Sequence, residues 1–228
     1  MVQWMGNLPQ SSSDLKKIYR ERFAGIQDYR QRVWRELTLR FFSAWIAPDA
    51  VVLDLGCGYC EFINQIRAGK KYGMDLNPDS ARHAASEVTL LRQDCSQPWE
   101  LEPGSLDAVF TSNFFEHLPT KTHLEKTLEE AWRALRPNGI LIALGPNIRY
   151  VPGAYWDFFD HHIALTDRSL AEVLTKCGFI LEKVTDRFLP YTMSDKRIYP
   201  IWVLRIYLML PLLWPVFGKQ FLVIARKP

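Results

Sequence analysis

Apolar residues follow two rhythms along this chain. Between residues 29 and 46, Val33, Trp34, Leu37, Phe41 and Phe42 recur at three- and four-residue steps, which predicts an amphipathic helix. A shorter helix is expected before it, with Leu15, Ile18, Tyr19 and Phe23 on one side and Asp14 as its N-cap. From Val51 the rhythm changes to short apolar runs at 51–55, 71–75, 88–92, 105–113 and 140–144. Such runs suit strands buried on both faces. Helical spacing returns between them, at Phe62, Ile63 and Ile66, and over 121–135 at Leu124, Leu128, Ala131, Trp132 and Leu135. Arg136-Pro-Asn-Gly139 reads as a turn. A helix from Thr166 stopped at Gly178 follows, then strands at 179–184 and 221–225. Alternating strands and helices predict an α/β fold with a parallel, doubly wound sheet.

The first strand leads into Gly56-Cys-Gly-Tyr-Cys-Glu61, a glycine turn opening a helix, which is the geometry of a nucleotide-binding crevice. A dinucleotide fingerprint would place glycine where Glu61 stands. Asp54 and Glu61 flank the turn, and two carboxylates repel a pyrophosphate. They suit a ligand that is locally cationic, with an ammonium beside a sulfonium, as in S-adenosylmethionine (SAM). Asp75 lies nineteen residues after Gly56, where a carboxylate can accept ribose hydroxyls.

Leu53-Asp-Leu-Gly-Cys-Gly58 resembles motif I of the class I SAM-dependent methyltransferases, of the small-molecule and lipid type, with Cys60 replacing the usual third glycine. The resemblance implies a Rossmann-like, seven-stranded sheet with an antiparallel last strand. It also implies SAM contacts from Asp54, Gly56, Gly58, Asp75, Leu76 against the adenine, Asp94 and Cys95 at the adenine edge, and Asn113 at the end of strand four. Glu116-His-Leu118 is similar to the segment after strand four in relatives acting on quinones and lipids. Helices before motif I fold over the cofactor in such proteins, which marks Tyr19, Arg22, Tyr29 and Arg32 for the acceptor pocket. The resemblance implies a methyltransferase; a non-catalytic scaffold of the same fold is the alternative.

A chain of 228 residues suits one such domain. The expected organisation is N-terminal helices over 1–47, a core over 48–186 and 220–226, and an insertion over 187–219. A net charge of +3 is too small and too dispersed to point to a nucleic-acid partner. Cys57, Cys60, Cys95 and Cys177 fit no secreted disulfide framework, and no signal peptide opens the sequence, so a cytoplasmic location is expected. Cys57-Gly-Tyr-Cys60 also fits a thiol redox pair, though nothing else resembles one.

The acceptor side is expected after strand five. Residues 155–162 are dense in aromatics and histidines, and histidine is the easiest base near neutral pH. His117, His161 and His162 are therefore the candidate catalytic bases. Asp157, Asp160, His161 and His162 could form a metal set, but adjacent histidines rarely point the same way, and no metal is assigned. Residues 206–217 are unbroken apolar, too short to span a bilayer and interrupted by Pro211 and Pro215. Lys196, Arg197, Arg205 and Lys219 flank them. Residues 201–217 thus suit peripheral contact with a membrane, or a flap on the domain or on a second subunit. The acceptor is expected to be a small molecule, a glycan or a lipid-linked compound.

Overall fold

The computed structural model describes residues 25–191 and 198–228. The shorter helix expected from Leu15, with Tyr19 and Arg22, lies outside the described residues, as do Lys196 and Arg197. Seven strands form one sheet: β1 (Val51–Leu55), β2 (Lys70–Met74), β3 (Val88–Leu91), β4 (Leu106–Ser112), β5 (Leu135–Pro146), β6 (Ile180–Leu189) and β7 (Gln220–Arg226). Their order is β3-β2-β1-β4-β5-β7-β6, with β7 antiparallel to both neighbours and the other pairings parallel. The last strand in sequence thus lies inside the sheet, and β6 takes the edge.

Period-two alternation explains the two cores. In β5 and β7, Leu141, Ala143, Phe221, Val223 and Ala225 point to one face, and Ile140, Ile142, Leu144, Leu222 and Ile224 to the other. The first face is covered by α4 (Lys121–Ala134) and α5 (Asp167–Lys176), through Leu124, Leu128, Leu170 and Leu174. The second is covered by α1 (Gln27–Arg40), the short α2 (Glu61–Gln65), and α6 (Ile201–Met209) with α7 (Trp214–Phe217). A four-residue helix, α3 (Ser80–His83), follows β2. On the second face Phe62 stacks on Phe110 with ring centroids 3.6 Å apart, and Trp34 meets both edge-on.

Two local expectations are corrected. Residues 136–139 do not form a free turn: β5 begins at Leu135 and absorbs them as an irregularity, with Asn138 at φ 65° and the ladder broken between Leu106 and Ala108. The stretch 187–219 is not all insertion, because β6 continues to Leu189, held against Gln220. The apolar segment then returns to the domain. Tyr207 donates its hydroxyl to the Phe188 carbonyl at 2.6 Å, and Trp214 packs edge-on against Phe188. Arg205 reaches Glu36 of α1 at 2.6 Å, so helices from distant parts of the chain share one layer.

Candidate active site

The site begins where β1 ends. Gly56 and Gly58 take φ of 71° and 51°, a region glycine enters at little cost. An added Cβ on Gly56 would lie 2.3 Å from the Phe114 ring, so the turn also needs the missing side chain. The Gly56 and Cys57 N–H groups both donate to the Met74 carbonyl, at 2.8 and 3.2 Å, which ties the turn to β2. Asp75 latches it from the other side, its carboxylate accepting the Gly58 N–H at 2.7 Å and the Asn77 N–H at 2.8 Å. A carboxylate accepts about four hydrogen bonds, so Asp75 keeps capacity for hydroxyls.

Asp54 is buried on the α1 face of β1. Burial raises its pKa well above the carboxylate range, and the charges of Glu61 and Asp75 push it the same way. Burial likewise raises Asp75, against the backbone N–H groups that favour its charge. Asp54, Glu61 and Asp75 thus cluster at the turn, where a cation would be favoured. Arg30 supplies part of one, donating to Glu61 at 2.7 Å. An ammonium or sulfonium would supply the rest, and the chemistry of these donors fits SAM.

A cavity of about 650 Å³ opens from this turn. Asp54, Gly56, Gly58 and Asn113 line it, with Asn113 held at φ 49° and its N–H on the Leu144 carbonyl at 2.8 Å. Asp75, Leu76, Asp94 and Cys95 do not line it. Leu76 is exposed, and Asp94 turns one oxygen back on the Ser96 N–H and hydroxyl, both at 2.8 Å. Cys95 is buried, and burial pushes its thiol up to about 12. Cys57 and Cys60 sit 3.8 Å apart sulfur to sulfur, both buried. The Cys60 contact and burial raise the Cys57 pKa, leaving a poor nucleophile.

The opposite wall carries the histidines. His117 and His161 line the cavity, whereas His162 is exposed, and its backbone N–H donates to the Glu116 carbonyl at 2.8 Å. His117 Nδ1 lies 2.9 Å from the Asp160 carbonyl and 3.2 Å from its carboxylate. Burial opposes charging of His117, but the Asp160 contacts and the Glu116 charge outweigh it and raise its pKa. Tyr155 explains how the aromatic segment holds this wall. Its buried hydroxyl donates to the Ile163 carbonyl and accepts the Leu165 N–H, and its ring meets His161 edge-on at 4.8 Å. Ligand atoms of Glu116, His117 and His161 lie within 4.8 Å of one another, a cluster that could share a proton or hold a cation.

The expectation named Tyr29 and Arg32 on α1. Tyr29 lines the cavity; Arg32 is exposed and, among the described residues, donates to the Asp28 carbonyl at 3.4 Å. Arg30 is the cavity residue instead, because it shares a helical face with Val33, Trp34 and Leu37. That spacing was visible in the sequence. Glu116 and Asp160 also belong to this wall; in the sequence, the Glu-His pair at 116–117 pointed to the first and the candidate metal set to the second.

Residues 53–143 match the methyltransferase domain family. A protein of Encephalitozoon cuniculi named for an assigned methyltransferase role is 28% identical over 127 residues, covering 55% of this chain. The chain spans 59% of that relative's length. Among solved structures, a SAM-dependent methyltransferase of Archaeoglobus fulgidus superposes with a TM-score of 0.67 at 22% identity, over 92% of this chain and 99% of that one. A Haloferax volcanii structure, a methyltransferase complexed with its Trm112 activator, gives 0.67 at 18% identity, over 94% and 98%. The fold and the family match agree: residues 53–143 match a methyltransferase domain, and the chain has the fold of the SAM-dependent methyltransferases it superposes on.

Proposed function

We propose that this protein transfers a methyl group from SAM to a small-molecule, glycan or lipid-linked acceptor, with His117 taking the proton the acceptor loses. The observation that carries the reading is His117, half-buried and paired with the buried Asp160, lining the same cavity as the glycine turn. SAM, when bound, supplies an electrophilic methyl on a sulfonium. Asp54 and Glu61 favour positive charge at the turn, and Asp75, beside the cavity and holding the Gly58 N–H, is the residue proposed to accept the ribose hydroxyls. Asp160 orients the His117 ring through Nδ1, which leaves Nε2 as the atom able to receive a proton. Residues of α1 and α6 wall the cavity, and positioning supplies much of the rate of an in-line displacement. His161 supports this wall, and His162 is the weakest of the three candidates because of its exposure.

Calorimetry should show micromolar SAM binding, strongly weakened by Asp75→Ala; unchanged binding in that variant would count against the cofactor assignment. Methyl-labelled SAM with enzyme and cell extract should place label in a small-molecule, glycan or lipid fraction. Label in no fraction, despite SAM binding, would favour the non-catalytic scaffold. Transfer lost to a chelator and restored by a divalent cation would reassign the Glu116, His117 and His161 cluster to metal binding.

A further inference from the structure

The cavity has one apolar end, and that end belongs to the segment between β6 and β7. Trp202, Val203, Ile206 and Phe217 line the cavity, yet they are 60%, 37%, 46% and 56% exposed. A residue that is both wall and surface marks a mouth, so the cavity opens through this segment. Around the mouth the surface stays apolar: Met209 is 71% exposed, Leu212 89% and Val216 61%. Contiguous apolar exposure on this scale signals a partner.

The partner's chemistry follows from charge and shape. Within the described part of this segment, residues 198–219, there is no acidic side chain, and Arg205 and Lys219 are the cations. Arg205 and Arg40 share the single carboxylate of Glu36, which leaves net positive charge where α1 meets α6. Lys219 stands at the cavity wall. Among the described residues no helix is long and apolar enough to cross a membrane. Short helices broken at Pro211 and Pro215, with Trp202 and Phe217 outward and cations at the margin, fit a surface that lies in the headgroup region. A second copy of the chain seated here would close the mouth.

We propose that the outer face of residues 198–217 seats the protein on an anionic bilayer, and that the acceptor is an amphipathic molecule entering the cavity from that leaflet. The acceptor half of this inference rests on the methyl-transfer reading above; the membrane half stands without it. The test uses the full chain with vesicles of phosphatidylcholine alone or with phosphatidylglycerol, read by co-flotation. Binding should require the anionic lipid and fall at least about tenfold in Met209→Glu/Leu212→Glu, two exposed residues that do not line the cavity, with SAM affinity unchanged. No flotation of the parent protein overturns the proposal, as does equal flotation of parent and variant. A parent that is dimeric by light scattering and a monomeric variant, neither binding vesicles, would assign the face to a subunit interface. Loss of SAM binding with flotation intact would fault the methyl-transfer reading and leave the membrane face standing.

Discussion

The Arg30–Glu61 pair joins α1 to the glycine turn and offers the sharpest test of how the cover is held. Its atoms are 2.7 Å apart, and the side chains are only 12% and 9% exposed. Arg30→Met removes the cation and leaves Glu61 beside Asp54 and Asp75. Breaking a buried pair by deleting one member costs about 3–5 kcal/mol; residual access at the cavity edge reduces this to about 2–3. For a chain of this length, each kcal/mol moves the melting temperature by about 2–4 °C, so calorimetric melts should fall by about 5–10 °C. Replacing both residues, in Arg30→Met/Glu61→Leu, should recover most of the loss, since apolar substitutes for a buried pair are often neutral. The restored double variant should still bind SAM about tenfold or more weakly, because a charged hydrogen bond is worth about 1.5–3 kcal/mol. An Arg30→Met protein that melts within about 1 °C of the parent would refute the reasoning.

Gly56→Ala combines about 1–2 kcal/mol of left-handed backbone strain with a Cβ forced against Phe114, so its urea midpoint should fall. Phe114→Ala in that background should restore part of the loss, and no recovery would show that the ring is not the obstacle. His117 predicts a pH dependence, with Glu116, Asp160, Asp75 and His161 as the groups around it. Its folded pKa is raised, so its contribution to stability is complete below about pH 6.5 and is lost as pH climbs through the folded value. Urea midpoints should show that decline, and Asp160→Asn should flatten it; an unchanged slope would dissociate the two residues. Asp54 and Asp75 hold protons above the ordinary carboxylate range, so a cationic ligand should expel them. Calorimetry in two buffers of different ionisation enthalpy should detect proton release on SAM binding at mildly acid pH, and equal heats would contradict it.

The parallel sheet was legible because its strands are buried on both faces and read as apolar runs, as Val51–Leu55 does. The turn at Gly56 was legible because few residue types tolerate its backbone. The extension of β6 to Leu189 was hidden, since Asp186, Arg187 and Pro190 give no apolar run and pairing with β7 decides it. Arg30 was readable by helical spacing from Trp34. Asp160 was not, because its approach to His117 depends on a loop pinned by Tyr155, and no local period encodes such a tertiary contact.

Strand β7 is synthesised after every other strand, yet its neighbours on either side are β5 and β6. During translation, β5 therefore waits with an open row of amide and carbonyl groups until residues 220–226 leave the ribosome. Lys227, just beyond that strand, then donates to the Trp132 and Leu135 carbonyls at 2.8 and 2.7 Å. A nascent chain stalled shortly before residue 220 should expose a pairing edge to chaperones, and a bulky fusion placed directly after Arg226 would compete with the closing stitch.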